Sequence, residues 1–166
     1  FGFAESHAWA FALHAYASGW LRVHYPAEYM AAILTEEPGM WSRQTKRHEA
    51  RDWGVPFLPF DVNRSGVHFR VERVDDPAGG TVKAVRPPLS AITGVSDEAA
   101  RAVMLERLSH GPYRDVDDLH QRVTLERDVV EALVRAGAFD AVQTRREALF
   151  RAGVLARQVH LGLSAV

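Results

Sequence analysis

The feature that most narrows the fold is Gly94, placed between a short apolar run, LSAI at 89–92, and an acidic-starting stretch, DEAARAV at 97–103. A glycine reaches positive φ at no steric cost, so it can reverse the chain in very few residues. Acidic residues suit the first turn of a helix, where they face the positive end of its dipole. The stretch therefore reads as a short helical turn, a tight reversal over TGVS, and a longer helix returning beside it. From Pro88 onward the pattern stays helical: DEAARAVMLERLSHG, a Gly-Pro break at 111–112, VDDLHQRV, LERDVVEALVRAG, a turn, and TRREALFRAGVLARQV. A chain so organised is mainly α.

Composition sets the outer limits. The chain has 166 residues, 47% hydrophobic and 25% charged, enough to build a core. Its formal net charge of −1 gives no global attraction to nucleic acid or membrane. The sequence has no cysteine, which excludes disulfides and thiolate metal sites and suits a reducing, cytoplasmic setting. The longest apolar stretch, Ala8 to Leu21, contains His14, Ser18 and Gly19 and is too short for a bilayer, so no membrane role is expected. The chain opens at Phe1 in mid-pattern and is read as a piece of a longer polypeptide.

Three domains are expected: residues 1–54, a helical subdomain; 55–87, an extended or β connection; and 88–166, a helical domain with two glycine hairpins. In the first, Ser6 is the expected N-cap of a helix running to Tyr25, and Trp9, Leu13, Tyr16 and Trp20 form a stripe of helical period expected in the core. Pro26 opens a second helix, PAEYMAAILTEE, ended at Pro38-Gly39. SRQTKRHEARDWG, 42–54, is the most basic helix, with Arg43, Lys46, Arg47 and Arg51, and Gly54 closes it. These four cations line either a DNA channel or a solvated face. VPFLPF is too rich in proline for a central strand, VHFRVERV alternates as a half-buried strand, and TVKAVR is its expected antiparallel partner. His14 and His24 have no ligand set at metal-binding spacing and are expected to be packed or on the surface.

The hairpin at 89–100 fits a helix-hairpin-helix motif, which grips nucleic-acid backbone without reading sequence. Leu89, Ile92, Gly94, Val95 and Ala100 occupy its expected places, and Ser96 replaces the second glycine. Amides of Thr93, Gly94, Val95 and Ser96 and of the following helix start would face an anion. Val95 would plug the hairpin between the helices, and the Ser96 hydroxyl can donate to a phosphate. Asp97 and Glu98 place negative charge at the mouth, and residues 88–166 carry ten Lys+Arg against eleven Asp+Glu, so a purely structural turn is the competing reading. RAGAFD, 135–140, repeats the glycine turn with Phe139 in place of the second glycine, and that ring is expected to pack inward.

Four stretches in order resemble bacterial C-family DNA polymerases, the polymerase III α-subunit group. GFAESH with Ala15-Tyr16 and WLRVHYPAE resembles the fingers segment, which reads G-F-x-x-S-H with A-Y and W-L-x-x-H-x-P-A-E downstream. GVPFLPFDVNRS resembles the end of the fingers region, AVRPPLSAITGVSDEAARAV the first helix-hairpin-helix, and LERDVVEALVRAGAFDAVQTRREAL the second. Ala4-Glu5 stands where the replicative form usually has Asn-Lys. The glutamate, with PGMW at 38–41 and a Gln-containing helix after it, is more similar to the error-prone, damage-tolerance form.

The resemblance implies a fragment of a DNA-directed DNA polymerase, with a fingers-end helical subdomain, a short β connection and a tandem helix-hairpin-helix domain. It implies that Ser6 and His7 lie on the nucleotide side of the active site. The partners it implies are primer-template DNA, an incoming deoxynucleoside triphosphate, and other replication or translesion proteins. It implies Mg²⁺ in the parent enzyme, held by paired palm carboxylates. No such pair is seen here: Asp75-Asp76 and Asp117-Asp118 are adjacent and diverge, so no catalytic or metal-binding residue is assigned to this chain, and it is expected to be inactive alone. The alternative is a non-catalytic DNA-binding or scaffold module from a split or degenerate polymerase gene.

Overall fold

The computed structural model describes residue 2 and residues 4–160, with side-chain placement for all of these except 43 and 155–160. The order is α1 (Glu5–His24), α2 (Pro26–Glu36), α3 (Arg43–Asp52), β1 (Arg70–Asp75), β2 (Thr81–Arg86), a 3₁₀ turn (Leu89–Ala91), α4 (Asp97–His110), α5 (Val116–Arg122), α6 (Arg127–Arg135) and α7 (Arg145–His160). The expected mainly α class, with one small two-stranded antiparallel sheet, is what the chain adopts. Its contacts divide it into two compact units, one of residues 1–56 and 71–85, the other of 57–70 and 86–166.

In the first unit, Pro26 sits at the start of α2, where its missing N–H costs nothing, and Glu37 ends that helix in the left-handed region at φ +47°. Met30, Ala31 and Leu34 of α2 and Ala50 of α3 are buried. Ser42 caps α3, its hydroxyl accepting from the Thr45 N–H at 3.1 Å. Gly54, at φ +73°, closes α3 by a Schellman pattern: Gly54 N–H donates to Arg51 C=O and Val55 N–H to Ala50 C=O, both at 2.9 Å. The proline-rich segment runs extended beside β2, with Val85 N–H donating to Pro56 C=O.

Two expectations about α1 are overturned. Its N-cap is Ala4, with no side-chain cap hydrogen bond, and Ser6 lies exposed inside the first turn. The Trp9–Leu13–Tyr16–Trp20 stripe is not core: these side chains are 71%, 67%, 73% and 45% exposed, and α1 buries none of its residues. Helical periodicity marks a face suited to packing. It does not say whether this chain supplies the partner.

In the second unit, the 3₁₀ turn and α4 to α7 enclose one core, built from Leu89, Ile92, Val95, Val103, Val116, Leu119, Leu133, Val134 and Phe139 with Val62 from the preceding loop. The loop Asp61–Ser65 is tied by Asn63 N–H to Asp61 Oδ1 at 2.8 Å and by Arg107, which donates to Val62 C=O and Ser65 C=O at 2.6 and 3.0 Å. Tyr113, 1% exposed, donates its hydroxyl to Val103 C=O at 2.8 Å and carries the Arg122 guanidinium 4.4 Å above its ring.

Candidate nucleic-acid interface

The hairpin is built from a β-turn whose first residue is Ile92 and whose fourth is Val95, closed by Val95 N–H to Ile92 C=O at 3.0 Å. Gly94 stands third at φ +91°, the place where a type II turn requires positive φ. Ser96, at φ −75° and ψ 163°, is extended backbone open to any residue, so the missing second glycine costs no strain there. Its hydroxyl caps α4 by accepting from Ala99 N–H at 3.2 Å, which leaves its own proton to donate. Val95 is 7% exposed and belongs to the core, as the plug role requires.

The exposed face of this turn is made of backbone donors. Thr93, Gly94, Ser96, Asp97 and Glu98 are all exposed, and their N–H groups find no acceptor among the described residues. They converge at the N-terminus of a 14-residue helix, the arrangement that favours an anion. The carboxylates of Asp97 and Glu98 oppose it at the same end. A Cβ at Gly94 would lie 3.7 Å from Ala132 Cβ, so α6 underlies the turn from below. Neither spacing nor composition signals that support.

The second glycine turn is different. Gly137, φ +81°, ends α6 in the same Schellman pattern as Gly54, with Gly137 N–H to Val134 C=O and Ala138 N–H to Leu133 C=O, both at 3.0 Å. Both amides are thus consumed by the helix end. Arg145, paired with Asp140, lies over the glycine where a Cβ would clash with both side chains. Phe139 is 1% exposed and packs inward as expected. This turn offers no comparable set of free donors.

The remaining predicted residues are scattered. His7 is exposed and meets Phe11 edge-on at 4.5 Å, and Phe3 of the GFAESH motif lies outside the described residues. On α3, Arg51 is exposed and Arg47 half-buried, whereas Lys46 is only 6% exposed, so the four cations do not share one solvated face; the Arg43 side chain lies outside those described. Burial and the neighbouring Arg51 charge hold the Arg47 guanidinium below its ordinary value. His14 Nδ1–H donates to Ala10 C=O at 2.8 Å, and His24 packs against Trp20.

Among the described residues no group of three or more His, Asp or Glu is placed to hold a metal ion. The adjacent aspartates are engaged elsewhere: Asp76 accepts from Ala78 N–H, Asp118 from Arg114 N–H and Arg122, and Asp117 pairs with Arg151 at 3.6 Å. These residues do not fit a polymerase Mg²⁺ site. No helix among the described residues is long and apolar enough to cross a membrane.

A family model described as helix-hairpin-helix motif matches residues 54–149. Over 160 residues the chain is 40% identical to an error-prone DNA polymerase of Corynebacterium efficiens, covering 95% of this chain and 14% of that protein. It is 41% identical over 155 residues to one of Burkholderia mallei, covering 92% and 14%, and 40% identical over 165 residues to one of Symbiobacterium thermophilum, covering 89% and 15%. The chain thus spans about one-seventh of the length of these curated relatives. The likeness extends over most of the chain and does not favour a separate scaffold module. The chain belongs to the helix-hairpin-helix family and is homologous to the helix-hairpin-helix region of error-prone DNA polymerases.

Proposed function

We propose that this chain is part of a C-family, error-prone DNA-directed DNA polymerase acting in damage tolerance, and that it positions the DNA backbone for a catalytic centre built elsewhere in the polypeptide. The observation that carries the reading is the Thr93–Ser96 turn: the Thr93, Gly94 and Ser96 amides find no acceptor among the described residues, the Val95 amide instead closes the turn onto Ile92 C=O, and the Ser96 hydroxyl proton is free to donate. Such a site contacts phosphate oxygens and sets register without reading bases. Asp97 and Glu98 weaken it, so it helps to hold a duplex that other parts of the protein also grip.

Ser6 and His7, exposed at the start of α1, belong on the nucleotide side in this reading. Arg51 and Arg47 of α3 flank a DNA path in this reading. The parent enzyme uses primer-template DNA and incoming deoxynucleoside triphosphates, works with replication or translesion proteins, and is cytoplasmic. Its Mg²⁺ chemistry belongs to acidic residues outside this chain.

The test is fluorescence anisotropy with a labelled primer-template at several salt concentrations. The chain binds weakly and with steep salt dependence, and Gly94→Val lowers the affinity severalfold. Equal binding by the two proteins makes the turn structural only. Separately, the purified chain extends no primer with Mg²⁺; extension that survives further purification overturns the assignment of catalysis to residues outside it.

A further inference from the structure

The helices α1, α2 and α3 surround a cavity of about 820 Å³, lined among others by Arg22, Tyr29, Trp41, Lys46, Glu49 and Trp53. Lys46 is the unusual member. It is 6% exposed, yet its ammonium has no hydrogen bond or ion pair to any described residue. The Lys46 stem is buried, but its ammonium is not among the buried polar atoms and keeps access to the cavity, where it is a cation able to meet an anion. The other charges do not supply that partner. Arg22 is spent on Trp53, its guanidinium 3.8 Å from the indole centroid, and Glu49 and Asp52 line the cavity without pairing to Lys46.

We propose that this cavity takes one unpaired nucleotide of single-stranded DNA, its phosphate on Lys46 and its base on Trp41. Three features select that class. The volume falls in the range of pockets that hold whole organic ligands, so a bare phosphate would leave most of it to water. Trp41 is 73% exposed and, unlike Trp53, has no described cation or ring over its face, which suits a stacking base. Glu49 and Asp52 can accept from base N–H groups, whereas they would repel the carboxylates of an acidic peptide. The site lies along the Ala15–Arg22 part of α1, two turns or more from Ser6 and His7. The inference rests on the DNA-binding reading above but on a different surface from the Gly94 turn.

The experiment follows the Trp indole N–H resonances of the chain while a tetradeoxynucleotide, a deoxynucleoside monophosphate or inorganic phosphate is added. The tetranucleotide shifts the Trp41 resonance saturably, and Trp41→Ala and Lys46→Met each weaken it by about fivefold or more. Trp41 is exposed, so its variant tests the site even where Lys46→Met unfolds the subdomain. Equal saturation by the mononucleotide keeps the pocket and its chemistry and reassigns the source to free nucleotide. A shift with phosphate alone, or oligonucleotide affinity within twofold of the parent in both variants, overturns the proposal. Gly94→Val separates the two readings: it loses duplex affinity and keeps the tetranucleotide. Duplex binding that still depends on Gly94 survives failure of the pocket, whereas absence of any DNA binding removes both.

Discussion

Asn63 and Tyr113, fifty positions apart, exchange two hydrogen bonds: Asn63 Nδ2 donates to Tyr113 C=O and Tyr113 N–H donates to Asn63 Oδ1, each at 2.7 Å. A side-chain amide thus stands in for one rung of a β-ladder and staples the Asp61–Ser65 loop to the chain leaving α4. The D-V-N-x-S signature therefore has a structural meaning in this protein. Asp61 and Ser65 shape the loop, and Asn63 fastens it.

Asn63→Ala removes both partners of a part-buried backbone amide and carbonyl. It is expected to destabilise the second unit by about 1–3 kcal/mol, read as a lower urea midpoint with unchanged slope. Asn63→Asp keeps the acceptor for Tyr113 N–H but loses the donor to Tyr113 C=O, and falls between the two. A midpoint unchanged in Asn63→Ala would show that the staple adds nothing.

Tyr113 itself makes stability depend on alkaline pH. Burial raises its phenol from the ordinary value near 10 to about 12, with the Arg122 charge acting the other way. Between those values the unfolded chain releases the proton and the folded chain keeps it, so stability falls as pH rises, by at most about 1.4 kcal/mol per pH unit. Urea titrations from pH 9 to 12 check the slope. In Tyr113→Phe the part of the slope owed to this group disappears, at the cost of the hydroxyl bond to Val103 C=O.

Much of this architecture was legible in the residues. Pro26 at a helix start, Gly54 past a helix end, the Arg70–Asp75 and Thr81–Arg86 pair, and Gly94 in a tight reversal all act locally, and local rules reached them. What escaped depends on distance in space. The α1 stripe has the period of a packed face, but its exposure is a fact about neighbours. Lys46 and Arg47 are adjacent in sequence and read alike as cations. Only the arrangement of three helices puts one in a cavity with Trp41 and leaves the other half-exposed. Gly94 and Gly137 look like two copies of one motif until their amides are followed: one set faces out, the other closes a helix.

That contrast predicts different outcomes at the second turn. Phe139 is a fully buried ring, and Phe139→Ala is expected to cost about 3–5 kcal/mol by lost burial and a residual cavity. Because no donor array is exposed at that turn, the surviving folded fraction binds primer-template DNA as the parent does. Thermal melts followed by anisotropy below the new transition check both parts. Lost affinity in a folded Phe139 variant would place DNA on the second turn as well.

The carboxylates at the mouth of the first turn should push stability and binding in opposite directions. Asp97 and Glu98 occupy the first turn of α4, where each stabilises the helix by about 0.3–1 kcal/mol through its dipole. The same charges repel a phosphate bound to the neighbouring amides. The double change Asp97→Asn, Glu98→Gln is therefore expected to lower the melting temperature slightly and to raise affinity for primer-template, by up to about fivefold per charge in dilute salt. The gain shrinks as salt rises, because these groups are exposed and screened. Ser96→Ala serves as the control, costing about 1 kcal/mol of helix capping and lowering affinity as well. If neutralising Asp97 and Glu98 leaves affinity unchanged at low salt, the phosphate does not sit on this turn, and the Gly94 hairpin only joins two packed helices.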